Sequence, residues 1–287
     1  MCGPGRCHMS RAAGLESSVF SAAVVNAFTT LPLAGNPAGL VLLDDDDRGV
    51  AWMQAVARDI GVSETGFLVP HDDGSYGLRW FTPTVEMTLC GHATLAAAHW
   101  LWERGLISHE LRFHTRSGLL TATRVDDCAR IWLDFPVVPI TDAVEPCDWS
   151  AAFPRANLQW IGRTSGSRDL DRKVLLRAEP NVLRLLMPDF ARVATLPCAG
   201  VIVTSPSDRT DADVLTRYFA PACGVDEDPV TGSAHCTVGW YWAPIIGKTT
   251  LKARQVSTRG GNLTVTVDGD RVHLGGSAVT VTRFELE

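Results

Sequence analysis

The chain has 287 residues, 46% hydrophobic and 20% charged, and carries a net charge of -6. This is the balance of a globular protein long enough for two cores, and its acidic sign, with no Lys/Arg cluster, excludes nucleic acid as a partner. No apolar run is long enough to cross a bilayer and residues 1–18 lack a secretory leader's apolar core, so no membrane partner and a cytoplasmic location are expected.

Residues 1–17 read as a flexible N-terminal segment, in which Cys2, Cys7 and His8 lack the second ligand pair of a metal site. Apolar, β-rich segments then predict strands over 19–28, 38–43, 66–70, 77–81, 118–125 and 130–135. The acidic run Asp44 to Asp47 reads as a solvated turn or helix cap, because its spacing is wrong for a calcium loop. Gly49 to Gly61 has a helical pattern, and Gly91 to Gly105 is an Ala-rich helix apolar almost all round, which must be buried. Pro136, Pro139 and Pro146 punctuate the middle of the chain and suggest a boundary, giving domains at 18–135 and 136–287, with the last strand able to pack on the first domain. In the second part, strands are expected at 173–177, 199–204, 263–267, 272–274 and 278–284, and helices at 180–187, 211–217 and from Gly232 onward. The eight cysteines are scattered singly, which predicts reduced thiols.

An internal repeat stands out. Arg79-Trp80-Phe81-Thr82-Pro83 precedes an acidic turn and then Cys90-Gly91-His92-Ala93 at the start of a helix. Arg217-Tyr218-Phe219-Ala220-Pro221 precedes another acidic turn and Thr231-Gly232-Ser233-Ala234 at the start of a second one. A Gly opening a helix lets a ligand approach the backbone, where first-turn N–H groups have no partner within the helix. Two such starts converging on one cleft would hold a carboxylate or a developing enolate. His92 and Asp228 lie at these starts and can move or orient protons. Glu64, in Gly61-Val62-Ser63-Glu64-Thr65, lies outside the repeated strings, and burial there would raise its pKa toward the range of a general acid/base.

These residues resemble the phenazine-biosynthesis PhzF-like family along nearly the whole chain. The resemblance rests on Gly35-Asn36-Pro37-Ala38, Ser63-Glu64-Thr65, Cys90-Gly91-His92-Ala93-Thr94, Glu227-Asp228-Pro229-Val230-Thr231-Gly232-Ser233-Ala234 and Arg259-Gly260-Gly261, in the family's order. It implies an α+β fold of the diaminopimelate epimerase-like type, with two pseudo-symmetric domains that each wrap a curved, mostly antiparallel sheet around a central helix. It further implies a homodimer without metal or organic cofactor, acting on a small carboxylate substrate between the domains. Glu64 would move a proton between carbons of a carboxylated ring, assisted by His92, Asp228 and Ser233. Asn36, Cys90, Gly91, Thr231 and Gly232 would contact the substrate.

The wider superfamily includes racemases with two catalytic cysteines. Cys90 matches one of these positions and a helix N-terminus would lower its pKa, but Thr231 stands at the other and Cys236 is badly placed to replace it. An isomerase is therefore expected. An epimerase, lyase or cyclase of a biosynthetic intermediate, or a binding protein that keeps the fold without turnover, stays open. Trp240-Tyr241-Trp242 reads as core or interface packing.

Overall fold

A computed structural model describes residues 19–45, 48–125, 130–142, 149–165 and 172–287. The expected N-terminal segment at 1–17, Asp46 and Asp47 of the acidic run, and Pro146 lie outside the described residues.

The first part of the chain runs β1 (Phe20–Ala27), β2 (Asn36–Leu42), α1 (Val50–Ile60), β3 (Glu64–Pro70), β4 (Tyr76–Phe81), β5 (Glu86–Met87), α2 (Gly91–Glu103), β6 (Glu110–Thr115), β7 (Gly118–Arg124) and β8 (Ile131–Pro136). It continues with β9 (Ile140–Asp142), β10 (Gln159–Thr164), β11 (Lys173–Arg177), α3 (Pro180–Arg184), α4 (Phe190–Val193), β12 (Gly200–Pro206), β13 (Val214–Ala220) and β14 (Val225–Asp228). The last elements are α5 (Gly232–Ile246), β15 (Thr250–Gln255), β16 (Gly261–Asp268), β17 (Arg271–Gly276) and β18 (Ala278–Leu286). This is an α+β protein dominated by its sheet. No helix among the described residues is long and apolar enough to cross a membrane.

The ladders repeat. In the first half β1 pairs antiparallel with β2, β2 parallel with β3, β3 antiparallel with β4, and β4 parallel with β6, which leads through β7 to β8. In the second half β10 to β13, then β15, β16 and β17, follow the same sequence of antiparallel and parallel pairings. The short β5 and β14 each flank the corresponding β4 and β13. β8 and β17 pair antiparallel and join the halves. The outermost partners come from elsewhere in the chain: β18 pairs with β1, and β9 with β10.

Helices α2 and α5 lie inside these curved sheets. Eleven residues of α2 are buried, including Trp100, Leu101 and Trp102, which explains why the sequence gives this helix no polar face. In α5, Trp242 is buried and its indole N–H donates to Thr204 Oγ1 at 2.9 Å, whereas Trp240 reaches the surface. One continuous apolar cluster takes residues from both helices and both halves, from Ala23 to Leu274, so the halves share a core.

Two helix expectations are corrected. Residues 211–217 do not form a helix: Val214–Ala220 is a strand paired on both sides, because its aromatic and β-branched residues fill two facing layers of the core. The helix expected at 180–187 stops at Arg184.

Candidate active site

The two repeated strings have the same local structure. Arg79 donates from Nε to Glu86 at 2.8 Å and lies over the Phe81 ring. Arg217 donates from Nε to Glu227 at 2.7 Å and lies over the Phe219 ring. Each clamp ties a core strand to the acidic turn after it and so fixes where the next helix begins. The helix starts then meet. A Cβ added to Gly91 would lie 3.2 Å from the Gly232 Cα, and one added to Gly232 would lie 3.2 Å from the Gly91 Cα. A side chain at either position would crowd the facing backbone by a few tenths of an ångström. Neither Cys90 nor Thr231, the residues preceding the two helices, makes a side-chain cap hydrogen bond. Both N-termini therefore keep donors available beside a cavity of about 320 Å³.

Glu64, Cys90, Gly91 and His92 line this cavity from the first half. Asp228, Thr231, Gly232 and Ser233 line it from the second. His92 Nε2 lies 3.2 Å from Glu64 Oε2, yet both atoms are buried without a well-formed hydrogen bond. The Cys90 thiol lies 3.5 Å from His92 Nδ1. Burial, reinforced by Asp228, pushes the Glu64 carboxyl well above the usual range, and burial lowers the His92 imidazole to about 3. The imidazole is neutral at physiological pH, so this contact is not an ion pair. The cause is burial. The lowered thiol pKa expected of Cys90 at a helix N-terminus is corrected: burial and then Glu64 push its thiol well above the ordinary value, which keeps it protonated.

Asp228 is buried and raised to about 6, by burial first, with hydrogen bonds from Thr231 and Asn36 pulling it back. The Asn36 amide donates to Asp228 Oδ1 at 2.7 Å and to the Val230 carbonyl at 2.9 Å, and the Thr231 hydroxyl donates to Asp228 Oδ2. Gln255 spans the same turn, donating to the Asp228 carbonyl at 2.6 Å and accepting from the Thr231 N–H at 2.9 Å. Asn36 is fully buried and does not line the cavity, so its expected place against substrate is corrected to that of a residue positioning Asp228. The motif around it is a scaffold. Arg259 donates to the Gly35 carbonyl at 2.8 Å, and Gly35 has φ +69 with the Ala27 carbonyl 2.3 Å from where a Cβ would stand.

Glu64 also lies inside the repeat. It opens β3 and pairs with Ala38, as Gly200 opens β12 and pairs with Lys173. Lys173, Tyr218 and Cys223 also line the cavity; Tyr218 lies in the second repeated string but was not read as a site residue, and Lys173 and Cys223 belong to no motif read from the sequence. Their signal lies in the strand register, which becomes visible once the two halves are aligned by their ladders. Glu64, Cys90 and His92 offer donor atoms within 4.8 Å of one another, a spacing a cation could draw together, but Glu64 and Cys90 both favour their protonated forms.

An uncharacterized isomerase of Halalkalibacterium halodurans is 44% identical over 268 residues, spanning 92% of this chain and 97% of its own. The crystal structure of a phenazine biosynthesis protein of the PhzF family from Enterococcus faecalis superposes with a TM-score of 0.82 at 34% identity, covering 94% of this chain and 100% of that one. A hydroxyproline epimerase from Agrobacterium vitis, at 13% identity, shares the fold alone, with a TM-score of 0.62 over 93% of this chain and 91% of its own. The fold is thus the diaminopimelate epimerase-like one, and the chain is an enzyme of the isomerase class. The family described as phenazine biosynthesis-like protein matches residues 25–283, and this chain belongs to it.

Proposed function

We propose that the enzyme isomerises a small, cyclic carboxylate by moving a proton between carbons of its π system, with Glu64 as the group that takes and returns the proton. The observation that carries the reading is the buried Glu64 carboxyl in the same cavity as two facing, uncapped helix starts. The substrate carboxylate binds at the Gly91 and Gly232 starts, whose amides stabilise the negative charge that grows as the C–H bond breaks. A carboxyl raised well above its ordinary range is a stronger base once ionised and holds the proton until the second carbon takes it. In this reading the Cys90 thiol, 3.5 Å from His92 Nδ1, serves as the donor there and the imidazole proton sits on Nε2, which lies 3.2 Å from Glu64. Asp228 and Ser233 lie on the second wall and hold the substrate's polar substituent. Paired thiol bases are disfavoured because Thr231 faces the site where the second thiol would be and Cys90 stays protonated. The reading carries with it the family's homodimeric state and a cytoplasmic location.

The test is solvent-deuterium incorporation into a panel of small cyclic unsaturated carboxylic acids, followed by mass spectrometry. Glu64→Gln is expected to lower the exchange rate about a thousandfold while binding of benzoate and the circular dichroism spectrum stay unchanged. Exchange at an undiminished rate in Glu64→Gln removes Glu64 from this role.

A further inference from the structure

Alignment of the two halves by their ladders leaves one charged group unexplained. Glu64 opens β3 in the first half, and its counterpart in the second half, Gly200, bears no side chain at all. A Cβ at Gly200 would lie 2.3 Å from the Tyr218 Oη, so the tyrosine hydroxyl occupies the place where a second carboxylate would start. The neighbouring strand position is Ala38 in the first half and Lys173 in the second. The second half therefore has an ammonium and a phenol where the first has a methyl group and a carboxylate.

Lys173 and Tyr218 both line the cavity that holds Glu64. Among the described residues no carboxylate pairs with the Lys173 side chain, and its nearest ionisable influences are the thiols of Cys236 and Cys223. Tyr218 is 8% exposed, its hydroxyl lies against Gly200, and burial, followed by Cys223 and Asp228, pushes its pKa up, which keeps it a hydrogen-bond donor. A cation in a partly enclosed cavity without an acidic partner is costly unless an anion arrives with the ligand. Glu64 answers to burial and Asp228, and Lys173 to burial and the two thiols, while Cys223 and Tyr218 respond to groups on both walls of the cavity. The paired helix starts and Lys173 line the same cavity, so one ligand can present a group to each. A cavity of about 320 Å³ accommodates a six-membered ring with two such substituents.

We propose that Lys173, assisted by the Tyr218 hydroxyl, is a specificity-determining subsite for a second carboxylate, and that the preferred substrates are cyclic dicarboxylates. This rests on the proposed binding of the first carboxylate at the Gly91 and Gly232 helix starts and names the substrate class for that same site. A charge-assisted contact of this kind is worth about tenfold or more in affinity.

The experiment is calorimetric titration of the full chain with benzoate and with isophthalate, phthalate and terephthalate as matched probes. At least one dicarboxylate is expected to bind about tenfold more tightly than benzoate. Lys173→Met is expected to abolish that advantage while leaving benzoate affinity unchanged, and Lys173→Arg, which keeps the charge, to retain most of it. Benzoate binding with no gain from a second carboxylate, or a gain that survives in Lys173→Met, overturns the Lys173 subsite and leaves the proton-transfer reading intact. Failure of all four acids to bind overturns the helix-start carboxylate site and the subsite together. Weakening of benzoate and dicarboxylate by the same factor in Lys173→Met, with Lys173→Arg no better, assigns the residue a structural role and overturns the proposal.

Discussion

The two halves are built alike and equipped differently. Both use an Arg–Glu clamp under a buried Phe to set a helix start, and both open that helix on a glycine that touches its counterpart. In each helix the side chain four residues beyond the cap bonds the cap carbonyl: Thr94 donates to the Cys90 carbonyl at 2.6 Å, and the His235 Nδ1 lies 2.7 Å from the Thr231 carbonyl. The chemistry departs from this symmetry. Across the short ladders Trp80 faces Met87, while Tyr218 faces Asp228. Glu64 is matched by Gly200 and Ala38 by Lys173. Duplicated architecture thus brings two glycine helix starts to one cavity, and unduplicated side chains make its walls unlike, with Glu64 and His92 on one and Lys173 on the other.

The shared part is broken most severely at the glycines. Gly91→Ala and Gly232→Ala each place a methyl against backbone that cannot move aside as a side chain would. Each is expected to reduce deuterium-exchange activity about a hundredfold, by the same factor in both variants, because the displaced helix starts no longer aim their amides at one point. A large loss in only one of the two would show that the starts do not act as a pair.

The clamps offer a sharper version of the same comparison. Arg217 donates to both Glu227 oxygens and to the Leu186 carbonyl at 2.6 Å, whereas Arg79 makes a single bond to Glu86, which also pairs with Arg116. Arg217→Met is expected to cost roughly 3 kcal/mol in urea unfolding, because it strands several acceptors, and Arg79→Met roughly 1 kcal/mol. Equal losses would mean that the extra contacts of Arg217 contribute nothing.

The smallest effect separates the chemistry from the architecture. The folded-state pKa of Glu64 is raised, so the folded protein binds its proton more tightly than the unfolded chain. Its contribution to stability is full below the unfolded pKa, about 4.3, and declines as pH rises toward the folded value. Glu64→Gln removes that decline. Its Tm is expected to match that of the wild type at pH 4 and to exceed it by a few degrees at pH 8, in differential scanning calorimetry. A Tm difference independent of pH would place Glu64 in solvent rather than in a buried site.

Much of this was legible in the sequence where pattern and chemistry coincide. The apolar runs from Phe20 to Ala27 and from Gly200 to Thr204, and the polar-free helix from Gly91, are strong local signals that packing then uses. The strands at Glu110–Thr115 and Thr250–Gln255 went unread because charged residues alternate with their few inward ones, and Ala253 and Gln255 are weak markers of an inner face. The segment 211–217, expected as a helix, is settled as β13 by strand partners on both sides. Glu64, His92 and Asp228 were legible because they sit in motifs. Lys173 was not, since a lysine beginning a strand reads as solvated charge until its partner across the ladder is known. Asn36 belongs to a recognisable motif, but whether it faced the ligand or a carboxylate depended on a partner 192 residues away.

The exchange of outer strands bears on how the chain is made. β1 and β18 form an extensive antiparallel ladder, yet β18 is translated after every other strand described. During synthesis the first half emerges with an open edge at β1, and the residues after β8 contribute β9 to the other half instead. An unpaired edge invites pairing with other chains. That edge is therefore a liability until β18 is made, and the order of translation opposes the order in which the sheet can close.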